Sequence, residues 1–220
     1  MVFRQNLAQV EERISRACHQ CGRKREEITL IGVSKIFPPE AILEAHDAGL
    51  RDFGENYVQE FEGKFPAVQH LTGARFHLIG HLQSNKSRRA AELFQVIQTV
   101  DSPKLARRLN DVGRPLDILI EVKLSEEQAK AGAAPETLPA LLAEIGACPH
   151  LRLLGLMTMP PWDDDPEKSR PYFRQLRALA QQHSLHALSI GMSHDFEVAI
   201  QEGATHIRVG TALFGKRQSP

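Results

Sequence analysis

The sequence predicts a single (β/α)8 barrel of class α/β, spanning residues 1–220, with an additional N-terminal helix over residues 1–21. Three observations predict it. Short apolar runs alternate with helical patterns, which calls for a parallel sheet with helices on its faces. The runs number eight, which calls for closure. An open doubly wound sheet is the alternative, and no G-x-G-x-x-G follows the first strand to support it.

Phe3, Leu7, Val10, Ile14 and Ala17 recur at steps of three and four, the stripe of an amphipathic helix that packs outside the domain or plugs one end. The predicted strands are 28–34 (ITLIGVS), 51–54, 76–80 (FHLIG), 95–100 (QVIQTV), 116–122 (LDILIEV), 152–157 (RLLGLM), 187–191 (ALSIG) and 206–210 (HIRVG). They are apolar along most of their length, as strands buried on both faces must be. Helical patterns lie between nearly all of them, for example over 102–110, 138–145, 172–182 and 195–201. Two longer connections, 123–135 and 158–170, follow strands five and six; the second holds the only tryptophan, Trp162.

Composition bounds the function. The 220 residues are 42% hydrophobic and 25% charged, and Lys plus Arg equals Asp plus Glu at 27 each. A net charge of zero argues against nucleic acid as the main partner. The first twenty residues carry charges and no apolar core of a signal peptide, and no run approaches the length of a membrane span. The chain reads as cytoplasmic, with Cys18, Cys21 and Cys148 as reduced thiols; Cys18-x-x-Cys21 has no second pair to make a metal site. His70, His77 and His81 have no reliable zinc-ligand geometry, so no metal is expected.

In such barrels function collects where strands end. Ser193 precedes a helical pattern, so it is placed to cap that helix and to offer its hydroxyl to an anion. Gly210 and Thr211 add close backbone approach and a second hydroxyl, so strands seven and eight form a candidate phosphate site. The blander reading is a cap and a turn. Lys35 directly follows an apolar strand; desolvation lowers an amine's pKa and frees it to attack an aldehyde. Alone, Lys35 reads as a surface residue at a strand end. Across the mouth from a phosphate site, it points to a phosphorylated carbonyl ligand or to pyridoxal 5′-phosphate (PLP). Arg208 shares a strand face with Gly210 and points into the barrel, either toward a ligand ring or into an internal ion pair with Glu121. Glu55 and Asn56 either bond the ligand or cap the next helix. The loop around Trp162 is expected to cover part of the ligand.

At these residues the chain resembles the pyridoxal phosphate homeostasis protein family. The matching segments are 33–35 (VSK), 54–56 (GEN), 76–86 (FHLIGHLQSNK), 155–159 (GLMTM), 191–200 (GMSHDFEVAI) and 207–217 (IRVGTALFGKR), in order along almost the whole chain. The family's usual SMGMS reads SIGMS here, with Ile190 for a methionine. The resemblance implies an alanine racemase N-terminal-domain-like barrel with PLP as a Schiff base on Lys35. It further implies phosphate contacts from Ser193, Gly210 and Thr211, and Arg208 facing the pyridine nitrogen. Asn56 would line the ring pocket, and Met157 and Met192 would pack near the cofactor. It implies a carrier that buffers PLP, supplies PLP-dependent apoenzymes and influences amino-acid and keto-acid pools, without catalytic residues of its own. Two features speak against carbon-acid catalysis: an arginine at the ring nitrogen weakens the electron sink, and no second domain brings a tyrosine base, the only tyrosines being Tyr57 and Tyr172. The alternative is a small racemase-like PLP enzyme. A monomer is expected, because no apolar interface stripe stands out.

Overall fold

The β-branched run that opens the sheet becomes strand β1 (Thr29–Val33), and seven further strands follow in register around a closed barrel. The computed structural model describes residues 2–125 and 131–215; Met1, the centre of the connection after the fifth strand and the last five residues, including the end of the segment 207–217, lie outside them. The other strands are β2 (Asp52–Glu55), β3 (Arg75–Leu78), β4 (Val96–Val100), β5 (Leu116–Glu121), β6 (Leu151–Met157), β7 (Ala187–Met192) and β8 (His206–Val209). All neighbours are parallel, and β1 closes on β8 with Ile31 opposite Arg208. Each predicted run holds a strand, with ends displaced by a residue or two.

The described helices are α1 (Val2–Gln20), α2 (Pro39–Asp47), α3 (Val58–Val68), α4 (Ser87–Leu93), α5 (Pro103–Asn110), α6 (Leu138–Gly146), α7 (Arg170–Gln182), α8 (Phe196–Gln201) and α9 (Thr211–Phe214). Their apolar faces bury against the outside of the barrel: Phe61, Phe94, Phe173, Phe196 and Ile42 are all fully enclosed. Helix α1 takes the first of the two places open to it. Its buried stripe (Phe3, Val10, Ile14, Ala17, Cys18) packs outside α8 and α9. Arg13 grips Glu197 with two bonds of 3.0 and 2.7 Å, and Phe3 meets Phe214 at 5.1 Å.

Two glycines set the approach of neighbouring chains. A Cβ on Gly155 of β6 would sit 1.9 Å from the carbonyl oxygen of Ala187 at the start of β7. A Cβ on Gly80, just after β3, would sit 2.3 Å from the carbonyl oxygen of Asn56. The second glycine lets the chain after β2 fold inward across the end of β3, which carries Asn56 to the barrel mouth.

Candidate functional site at the barrel mouth

Five polar side chains of the barrel strands form one hydrogen-bonded chain. Arg208 of β8 donates to the Ser189 hydroxyl at 2.7 Å, and Ser189 donates to Gln98 Oε1 at 2.6 Å. The Gln98 amide nitrogen reaches His77 Nδ1 at 3.1 Å, and His77 Nε2 meets Asp52 at 2.8 Å. Because Nδ1 accepts from Gln98, the imidazole proton sits on Nε2 and points at the Asp52 carboxylate. Burial holds the His77 pKa below its ordinary value, in keeping with a neutral ring. Every bond runs in one direction, so each polarises the next. The chain ties the base of the barrel to the guanidinium at its mouth.

Arg208 is 3% exposed and donates also to the carbonyl oxygens of Ser189 (2.7 Å) and Thr158 (3.0 Å). Burial pulls its pKa down to about 10, against the fields of Asp195 and Glu121. These bonds, rather than the internal ion pair with Glu121 that the sequence left open, fix the side chain.

Above Arg208 lies a cavity of about 560 Å³, in the range of small-molecule sites. Lys35, Asn56, Met192, Ser193, Arg208, Gly210 and Thr211 all line it. Seven residues chosen from the sequence thus meet at one place. Met157 does not join them: it is fully enclosed below, packed with Val96 and Leu119. Met159, two residues further on, lines the cavity instead. Val33, Phe37, Ile79 and Trp162 supply further apolar wall, and Trp162 stacks on His194 with ring centroids 4.8 Å apart.

Ser193 corrects another expectation. Helix α8 starts at Phe196, with Asp195 at its cap position, so Ser193 does not cap it. Asp195 instead fixes the loop, accepting from the Met192 amide and the Ser169 hydroxyl at 2.7 Å each. The Ser193 hydroxyl oxygen turns across to β8 and accepts from the amides of Gly210 (3.2 Å) and Ala212 (3.4 Å). A hydroxyl, two backbone amides and Thr211 therefore converge on one side of the cavity, a donor set suited to an anion.

On the opposite side the chain around Lys35 is pinned by residues that sequence reading missed. Lys64 of α3 is 6% exposed and donates to the Ser34 carbonyl (3.0 Å), to Glu55 (3.0 Å) and to Glu60 (2.6 Å). The Ser34 hydroxyl donates to Glu55 at 2.8 Å, and the Ile36 amide donates to Glu60 at 2.5 Å. Ile36 has φ of 73°, a costly conformation for a β-branched residue. Both flanks of Lys35 are thus held through one buried ammonium group. The signal available in the sequence was a lysine inside an apolar stripe, Phe61, Lys64, Phe65 and Val68. Glu55 serves this network rather than the cavity, and burial raises its pKa against the pull of Lys64.

A closed, parallel eight-stranded barrel defines the class of barrels to which the N-terminal domain of alanine racemase gives its name; that family model matches residues 5–218. The chain belongs to the pyridoxal phosphate homeostasis protein family. It is 45% identical to the pyridoxal phosphate homeostasis protein of Escherichia coli K12, over 96% of this chain and 95% of the relative. It is 42% identical to that of Aquifex aeolicus, over 97% and 98%. The PLP-bound structure of PipY from Synechococcus elongatus PCC7942 superposes with a TM-score of 0.81 at 39% identity, covering 92% of this chain and all of that one. An alanine racemase of Clostridium difficile 630 shares the fold alone, with a TM-score of 0.74 at 14% identity; this chain covers 57% of it.

Proposed function

We propose that this protein binds PLP reversibly on Lys35 and serves PLP homeostasis, buffering the cofactor and supplying it to PLP-dependent apoenzymes. The observation that carries the reading is the meeting of Lys35, Arg208 and the Ser193–Gly210–Thr211 cup around one cavity. The residues fit the group: a primary amine, a cationic donor and a cluster of hydroxyls and amides line one cavity of about 560 Å³, with apolar wall from Val33, Ile79 and Met192. When bound, PLP supplies an aldehyde that condenses reversibly with a primary amine.

Lys35 provides that amine, with its backbone held from both flanks by Lys64 and Glu60. Ser193, Gly210 and Thr211 take the phosphate. Arg208 donates toward the pyridine nitrogen and, being a cation, disfavours a proton there. Asn56 borders the ring, and Met192 and Trp162 supply apolar wall beside it.

We assign the protein a carrier role rather than an enzymatic one. Arg208 weakens the ring as an electron sink, and neither Tyr57 nor Tyr172 is among the described residues lining the cavity. Transfer to partner proteins is supported by the exposed apolar residues at the mouth: Ile36 and Tyr57 on one side, Met159 and Trp162 on the other. The reading places a monomeric chain in the cytoplasm; no described helix is long and apolar enough to cross a membrane.

The test is the visible spectrum of the protein beside Lys35→Ala. The expected result is a visible absorption band after PLP is added, fixed by borohydride onto Lys35 and absent from the variant. A parent that stays colourless with PLP overturns the binding. Rapid Lys35-dependent exchange of amino-acid α-hydrogens in heavy water overturns the carrier role.

A further inference from the structure

A second cavity, about 930 Å³, opens beside the first and shares Met159, Trp162 and Met192 with it. Glu121, the last residue of β5, forms part of its wall. This side chain is 3% exposed, and its Oε2 is buried with no hydrogen-bond partner among the described residues. A carboxyl oxygen in that position is costly unless a proton or a donor satisfies it. Asp101 and Arg208 are the charged groups that act on it, one against and one for ionisation. Arg208 donates to Ser189 and Thr158. Glu121 lines the cavity, and the terminal torsion of a glutamate is soft, so rotation about it turns the oxygen toward an incoming N–H.

Lys123 lines the same cavity two residues further along. Its backbone is fixed by a bond of 2.9 Å to the Ala133 carbonyl, within the short bridge between Val122 and Ala133. Extended backbone puts the two Cα atoms about 6–7 Å apart with side chains on one face. A carboxyl acceptor and a cationic donor therefore stand side by side, with Leu124, Met159 and Trp162 as apolar surface next to them. A molecule that answers all three features carries an ammonium group, a carboxylate and an apolar tail.

We infer that this second cavity binds a free α-amino acid as its zwitterion, the ammonium group on Glu121 and the carboxylate on Lys123. The site uses no covalent bond to the protein and stands independently of the PLP reading.

The test is titration of the PLP-free protein with L-norleucine, hexanoate and n-pentylamine, read by calorimetry and by the fluorescence of Trp162. Hexanoate is norleucine without its amine; pentylamine is norleucine without its carboxylate. Norleucine is expected to bind at least tenfold more tightly than either, and Glu121→Gln and Lys123→Gln each to lose tenfold or more. Absence of norleucine binding, equal binding of pentylamine or hexanoate, or an undiminished affinity in Glu121→Gln overturns the inference. Each variant is also loaded with PLP: a retained visible band shows a folded barrel. A parent without that band but with norleucine binding would sink the PLP reading alone.

Discussion

Lys64 Nζ lies 3.0 Å from the carbonyl oxygen of Ser34, so a buried ammonium group on α3 grips the residue directly before Lys35. The same nitrogen holds Glu55 and Glu60, and Glu60 in turn holds the amide directly after Lys35. Lys64→Met removes one partner from this buried cluster and leaves two carboxylates uncompensated. A loss of about 3 kcal/mol is expected in urea unfolding. PLP is also expected to dissociate at least tenfold faster from the folded variant, because the segment with φ of 73° at Ile36 is no longer clamped. Unchanged dissociation in a folded Lys64→Met protein would leave the cluster a purely structural role.

The Ser193 hydroxyl bridges two strand ends through the amides of Gly210 and Ala212. Ser193→Ala is expected to weaken PLP binding about tenfold or more, as loss of a bond to a charged group of about 1.5–3 kcal/mol requires. Pyridoxal, which has the aldehyde but no phosphate, is expected to bind parent and variant alike. Equal weakening of both ligands would remove the phosphate assignment.

The chain from Arg208 to Asp52 passes through Ser189, Gln98 and His77. Gln98→Leu severs it without touching the cavity, leaving His77 Nδ1 without a donor and the Ser189 hydroxyl proton without an acceptor at a cost of about 2–4 kcal/mol. If the chain orients Arg208, the absorption maximum of bound PLP shifts in this variant. A variant that is destabilised with an unmoved spectrum would limit the chain to packing.

Burial, with the negative field of Asp101, pushes the Glu121 pKa from 4.5 up to about 7. The folded state thus binds that proton more tightly than the unfolded chain does. Its contribution favours folding at low pH and is lost as pH rises from about 4.5 through about 7. Glu121→Gln has no proton to lose. Its stability relative to the parent is expected to climb across that window, reaching about 3 kcal/mol above pH 7. Parallel stability–pH curves for the two proteins would show that Glu121 titrates normally.

Gly155→Ala places a methyl group against the backbone of β7, where no side chain is free to yield. A loss of stability of more than about 3 kcal/mol is expected, seen as a fall in soluble yield and in the urea midpoint. Wild-type stability here would mean that β6 and β7 separate more easily than their register suggests.

The sequence by itself determined the order of strands and helices, the closed barrel and seven residues of the cavity. Alternating apolar runs encode a parallel sheet locally, and strand ends converge on one mouth whatever fills the interior. That is why Arg208 and the residues after strands seven and eight stand out locally, while Lys35 gains its meaning from the phosphate site across the mouth and Asn56 from the family resemblance. Only the tertiary structure decided matters that depend on register around the closed sheet. Met157 sits one layer too low while Met159 reaches the cavity, a difference set by where β6 ends. Ser193 turned to β8 rather than to its own helix because Asp195 already occupied the cap position. Ser189 and Gln98 are 91 residues apart, and no local pattern announces their bond. Lys64 reads as a flaw in an apolar stripe until α3 packs beside the end of β1 and gives its charge three oxygens. Periodicity records which face a residue presents; the partner it meets there is fixed by the closure of the barrel.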